Sequence, residues 1–120
     1  MSKKILVVDD AQYMRLVIKD IFTKAGFEIV AEAENVQQAF EQFEKHKPDL
    51  VTMDIVMLGM SGIEGTKRII KQNPGAKIMM VSALGQQSLV VDAIKAGAKG
   101  FVIKPFTPEA VIDEARRILG

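Results

Sequence analysis

Cysteine and tryptophan are absent from the 120 residues, and tyrosine and histidine occur once each, as Tyr13 and His46. The missing thiols remove disulfides, zinc–thiolate centres and cysteine nucleophiles from consideration, and they fit a reducing compartment, so a cytoplasmic location is expected. A surplus of one charge is missing too. Sixteen basic residues stand against fifteen acidic ones, a net charge of +1, which argues against a protein that grips phosphate backbones, and no nucleic-acid partner is expected. Long apolar runs are lacking as well. The stretch after Lys3-Lys4 holds only Ile5-Leu6-Val7-Val8 before Asp9-Asp10, too short for a signal peptide or a membrane span, so no membrane partner is expected. Finally, no G-x-x-x-x-G-K-[ST] sequence occurs, and the turn Val8-Asp9-Asp10-Ala11-Gln12 has no glycine to admit a dinucleotide.

What is present has the makeup of one ordinary globular domain, expected over residues 1–120: 48% apolar and 26% charged. Five short apolar runs, Ile5–Val8, Glu28–Val30, Leu50–Met53, Ile78–Val81 and Phe101–Ile103, read as buried strands. Their spacing leaves room for a helix after each. Met14, Val17, Ile18, Ile21 and Phe22 form one helical stripe, Val36, Ala39, Phe40 and Phe43 a second, and Val111, Ile112, Ala115, Ile118 and Leu119 another. Asn35, Ser61 and Thr107 are candidate N-caps, with Glu64 completing a possible capping box and Pro108 at the first helical position; Gly26 and Gly97 mark helix ends. The pattern is an α/β chain, a flavodoxin-like (βα)5 doubly wound parallel sheet in the order 2-1-3-4-5. In such sheets ligands bind beyond the carboxyl ends of the strands where the order reverses, here between the first and third strands.

Past those strand ends stand Asp9-Asp10, Asp54, Ser82 and Lys104. Each alone could be a turn or cap residue. Gathered on one rim, however, three carboxylates repel by roughly 1–4 kcal/mol per pair at about 4 Å, a cost no structural role requires. A hard divalent cation relieves that repulsion, and oxygen-only donors point to Mg²⁺, or Mn²⁺ in its place, held by Asp9 and Asp10. Mg²⁺ bound in this way commonly meets a phosphoryl group, whose charge Lys104 would offset. A carboxylate is itself a competent nucleophile, which makes Asp54, alone after the central strand, the candidate phosphoryl acceptor.

With Val7-Val8-Asp9-Asp10-Ala11, Met14-Arg15, Val51-Thr52-Met53-Asp54-Ile55, Ser82-Ala83-Leu84-Gly85-Gln86-Gln87, Ala93–Lys99 and Lys104-Pro105-Phe106 in this order, the chain resembles the receiver domain of two-component response regulators along its whole length, and within that family the stand-alone chemotaxis regulators of the CheY type. The resemblance implies a cytoplasmic monomer that catalyses its own phosphorylation at Asp54 from the phosphohistidine of a CheA-type histidine kinase. It implies Mg²⁺ held by Asp10, Asp54 and the Val56 carbonyl, and by Asp9 through water. Ser82 and the Ala83 N–H would engage the phosphoryl oxygens, Lys104 would pair with them, and the bond into Pro105 would be cis. Ser82 would move toward the phosphoryl group with Phe101 turning inward behind it. The face of helix four, strand five and helix five, near Val90, Ala98, Lys99 and Phe101, would then dock a partner, in chemotaxis the flagellar motor switch protein; a phosphatase is a further expected partner. Two other functions compete: a phosphorelay carrier that passes the group to a histidine phosphotransfer protein, and a D-x-D-type phosphohydrolase, disfavoured because Asp9 and Asp10 are adjacent and no second general acid stands beside them.

The sequence departs from the family's Met-Pro-x-Met-Asn/Asp-Gly loop, reading Met57-Leu58-Gly59-Met60-Ser61-Gly62. Without proline, and with Gly59, the loop is expected to be more mobile, and the Gly59, Gly62, Gly65 spacing reads as a turn. Val56 and Leu84 place apolar groups where an attacking water would need a polar partner, so a long-lived phosphoryl group is expected. Tyr13 is expected to pack at the start of the first helix, and His46, between Lys45 and Lys47, to be solvated and remote from the strand ends.

Overall fold

A computed structural model describes residues 2–120 and alternates strand and helix without exception: β1 (Lys4–Val8), α1 (Gln12–Lys24), β2 (Glu28–Ala33), α2 (Val36–His46), β3 (Leu50–Met53), α3 (Gly62–Gln72), β4 (Ile78–Ser82), α4 (Gln87–Ala96), β5 (Gly100–Ile103) and α5 (Pro108–Leu119). The strands pair in parallel in the order β2-β1-β3-β4-β5, as the sequence pattern predicts. Burial of both faces explains the near-continuous apolar runs of the three inner strands. Leu6, Val8, Val51, Met53, Ile78 and Met80 face the layer of α2, α3 and α4, whereas Ile5, Val7, Leu50, Met79 and Val81 face α1 and α5.

Local chemistry sets the helix boundaries. The side chains of Asn35, Ser61 and Thr107 accept from the N–H groups of Gln38, Glu64 and Ala110, each satisfying one of the orphan donors of a first turn. The capping box at Ser61 is only half formed, because the Glu64 carboxylate turns to Lys67 at 3.2 Å. Helix α4 closes at Gly97 in the left-handed region, φ 112°. No helix among the described residues is long and apolar enough to cross a membrane.

Several expectations need correction. Strand β2 runs three residues beyond Val30 because, at the sheet edge, Glu32 can leave the pleat for solvent, so Ala31-Glu32-Ala33 carries no apolar run. Ser82 is the last residue of β4 rather than the first beyond it. Of the three glycines read as a turn, only Gly59 lies in the loop; Gly62 and Gly65 open α3. Tyr13 does not pack: on the outer face of α1 it is 75% exposed. Ala98, expected on the docking face, is buried with the α2–α4 layer.

Candidate functional site

The ladder that joins β1 to β3 extends past both strands and carries the acidic residues with it. Met53 pairs with Val8, the Asp54 N–H donates to the Val8 carbonyl at 3.1 Å, and the Asp9 N–H reaches Ala33 on β2 at 3.1 Å. Asp9 and Asp54 therefore emerge side by side where the strand order reverses. On the other side Lys104 follows β5, and its N–H donates to the Ser82 carbonyl at 2.9 Å. The Lys104–Pro105 bond is cis.

These elements bring Asp9, Asp10, Asp54 and Lys104 together. One carboxylate oxygen from each of the three acids lies within 4.8 Å of the others. Asp9 is 1% exposed and Asp54 8%, while Asp10 faces solvent. The Lys104 ammonium donates to Asp9 Oδ2 at 2.9 Å and to Asp54 Oδ2 at 3.5 Å. Asp9 Oδ1 accepts the Ala11 N–H at 2.9 Å, so Asp9 is the more fully partnered of the two buried acids. Burial pushes the Asp54 carboxyl above the ordinary aspartate range, the charge of Asp9 adds to the rise, and Lys104 opposes it.

The donor set fits a hard divalent cation. All three groups are carboxylates, and at Mg–O distances of about 2.0–2.1 Å octahedral ligand oxygens stand roughly 3 to 4 Å apart, a spacing within reach of this cluster. Ser82 and Val56 join less directly. The Ser82 hydroxyl is buried and accepts the Leu84 N–H at 3.2 Å, toward its own loop, and the Val56 side chain is 58% exposed in the loop after Asp54.

That loop is held by a residue whose role the sequence reading missed. The Gly62 N–H donates to the Ile55 carbonyl at 2.8 Å, and a Cβ on Gly62 would collide with the Asp54 carbonyl oxygen. Only glycine lets α3 begin this close to Asp54. Its signal was the Gly59, Gly62, Gly65 spacing, and spacing does not reveal which backbone lies opposite. Arg15 is a second such residue: its guanidinium donates to the Asp9 carbonyl at 2.7 Å.

A 2-1-3-4-5 sheet with carboxylates and a lysine at its switch point is the architecture of a signalling phosphoacceptor domain. The chain belongs to the response regulator receiver domain family, which it matches over residues 5–116. It is similar to the chemotaxis protein CheY of Thermotoga maritima, 51% identical with 98% of both chains covered, and to that of Bacillus subtilis, 54% identical with 99% of both covered. Among solved structures it resembles a chain of the CheX–CheY–BeF3–Mg²⁺ complex from Borrelia burgdorferi, with a TM-score of 0.95 and 32% identity over 98% of this chain and 90% of that one. The domain is thus a signalling switch of the CheY type built around a phosphoacceptor.

Proposed function

We propose that residues 1–120 work as one receiver unit in which Asp54 takes a phosphoryl group from the phosphohistidine of a CheA-type histidine kinase. The observation that carries this reading is the convergence of Asp9, Asp10, Asp54 and Lys104, drawn from three strand ends, on one small acidic rim. An Asp54 carboxylate oxygen attacks phosphorus, the bond from phosphorus to the imidazole nitrogen breaks, and the imidazole leaves with the bonding pair and takes a proton from solvent. Asp10, Asp54 and the Val56 carbonyl would hold Mg²⁺, with Asp9 reaching it through water because its oxygens already serve Lys104 and Ala11. When bound, the cation offsets the charge of the phosphoryl oxygens and the repulsion among the acids. Lys104 shifts from Asp54 to a phosphoryl oxygen, and the Ser82 hydroxyl, released from the Leu84 N–H, engages another.

The output is docking. Val91 and Ile94 on α4 and Ile103 on β5 are large exposed apolar residues, and Ile103 lines a groove of about 610 Å³ that runs past Phe101, Pro105, Phe106 and Arg117. The flagellar motor switch protein is the proposed occupant, and the structure with BeF3 and Mg²⁺, in which a CheY is joined to CheX, supports partner binding by a chain of this kind. Val56 and Leu84 give the rim an apolar border without a base for water, so hydrolysis is slow and a separate phosphatase is a further partner.

Acetyl phosphate with Mg²⁺ should add one phosphoryl group by intact mass, stable for minutes, and Asp54→Asn should abolish the gain. A gain that survives in Asp54→Asn refutes the assignment of the acceptor. Capture of the motor switch protein by the phosphorylated chain, against onward transfer to a histidine phosphotransfer domain, separates docking from a phosphorelay.

A further inference from the structure

The turn that carries Asp9 and Asp10 lacks the usual fastening. Ala11 occupies the N-cap of α1 and has no side chain with which to accept from the first turn, and no acidic residue lies in that turn. Two side chains hold it instead. Asp9 Oδ1 takes the Ala11 N–H from within the turn, and Arg15 reaches back from one helical turn further along, its Nη1 2.7 Å from the Asp9 carbonyl. That carbonyl belongs to the peptide linking the two acids. Its plane sets the direction in which the exposed Asp10 side chain leaves the backbone.

The other end of the guanidinium is anchored outside the turn. Arg15 Nε donates to Glu32 Oε1 on β2 at 2.7 Å, and Lys19 holds the second oxygen of Glu32 at 2.6 Å. The Arg15 side chain is 12% exposed, so a planar, forked cation is enclosed between a strand and the acidic turn with one nitrogen on each. Lysine, with a single point of charge, cannot make both contacts in that geometry.

We propose that Arg15 is a positioning residue for the cation site: by tying the Asp9 carbonyl to Glu32 it fixes the peptide from which Asp10 projects, and so sets the affinity for Mg²⁺. This rests on the phosphoacceptor reading above, and it makes a prediction of unusual sign. Electrostatics alone require that removing a positive charge beside a dication site tighten Mg²⁺ binding. Positioning requires the reverse, a loss of about tenfold, the lower end of what partners behind a metal ligand contribute.

The test is calorimetric titration of Mg²⁺ into the unphosphorylated full chain, wild type and variants, with melting curves recorded without Mg²⁺ as a control for folding. Arg15→Gln should weaken Mg²⁺ about tenfold. Arg15→Lys keeps the charge and loses the fork, and it too should weaken binding by several-fold, which carries the test if Arg15→Gln does not fold. Unchanged or tighter binding in either folded variant overturns the proposal, as does a lowered melting temperature with an unaltered Mg²⁺ affinity. Asp10→Asn separates the two levels of inference: if wild type shows no Mg²⁺ binding that this change abolishes, the phosphoacceptor reading itself fails, whereas wild-type binding with an indifferent Arg15→Lys refutes the role of Arg15 alone.

Discussion

Glu32, Glu44 and Glu114 on the flanks each meet strong donors, and their carboxyls sit below the ordinary glutamate range; Asp54 at the rim shares one lysine with Asp9, and its carboxyl sits above the aspartate range. On the flanks the cause is hydrogen bonding, chiefly to cations: Lys19 and then Arg15 at Glu32, Lys47 and then the neutral Asn73 amide at Glu44, Arg117 at Glu114. At the rim burial dominates, and Asp9 adds to it. The flank acids also hold backbone in place. Glu114 accepts the Phe101 N–H of edge strand β5, and Arg117 donates to the Lys99 carbonyl, so two side chains cover an edge that would otherwise be open. Flank charges fasten the fold, whereas rim charges are left under-compensated for an incoming cation and phosphoryl group.

The severest way to break this contrast is to remove the lysine that Asp9 and Asp54 share. Lys104→Met leaves Asp9 buried without its counter-charge, and chemical denaturation without Mg²⁺ should show a loss of about 3 kcal/mol. Part of that loss should return when Mg²⁺ is added, since a ligand that binds the native state stabilises it. A loss that Mg²⁺ does not touch would mean that Lys104 is a structural ion-pair partner and nothing more. Next in size is Gly62→Ala. The added Cβ meets the main chain of Asp54, which cannot rotate aside, and should cost about 2 kcal/mol by denaturation while slowing phosphorylation by acetyl phosphate. Gly75→Ala, where a Cβ meets open space, is the matched control and should be close to neutral.

The contrast also predicts opposite responses to pH. A flank glutamate with a lowered pKa contributes stability above its unfolded-state pKa and loses that contribution as pH falls through the folded value. Asp54 works the other way: with a raised folded pKa it binds its proton more readily folded than unfolded, so its ionised form costs stability at neutral pH and that cost is relieved as pH falls. Without Mg²⁺, Asp54→Asn should therefore be more stable than wild type at pH 7, read as a higher melting temperature. The gap should close as pH is lowered through the raised value. Equal melting curves at pH 7 would show that Lys104 compensates the rim completely and that no repulsion awaits the cation.

Much of this was legible in the sequence because it depends on periodicity and on chain order. Five apolar runs with helical stripes between them gave the sheet order, and the sheet order placed Asp9, Asp10, Asp54 and Lys104 on one rim. Asn35, Ser61 and Thr107 announced their helices because a cap is a local hydrogen bond. What stayed hidden depends on objects distant in sequence. Glu32, beyond the run that ended at Val30, drew no role because its partners, Arg15 and Lys19, lie on another element. Gly62 looked like a turn residue because the Asp54 carbonyl opposite it is a tertiary fact. Tyr13 was misplaced because an aromatic beside an apolar stripe gives no sign of which side of the helix it takes, and here it falls on the solvent side.

The smallest effect lies between the two regions, two residues before Asp54 on β3. Thr52 is fully buried, and its hydroxyl has no hydrogen-bond partner among the described residues. Its place on the strand face shared with Leu50 puts it toward the α1 and α5 layer, among Val7 and Met79 on neighbouring strands. A buried hydroxyl without a partner costs free energy that a methyl group of the same size does not. Thr52→Val should therefore stabilise the domain by about 1 kcal/mol, read as a higher denaturation midpoint with an unchanged slope. Because the substitution touches neither the rim nor the flanks, Mg²⁺ affinity and the rate of modification by acetyl phosphate should stay at wild-type values. A stabilised variant that also loses Mg²⁺ affinity would show that the unpartnered hydroxyl belongs to the rim, and that the under-compensated region reaches deeper into β3 than the carboxylates alone reveal.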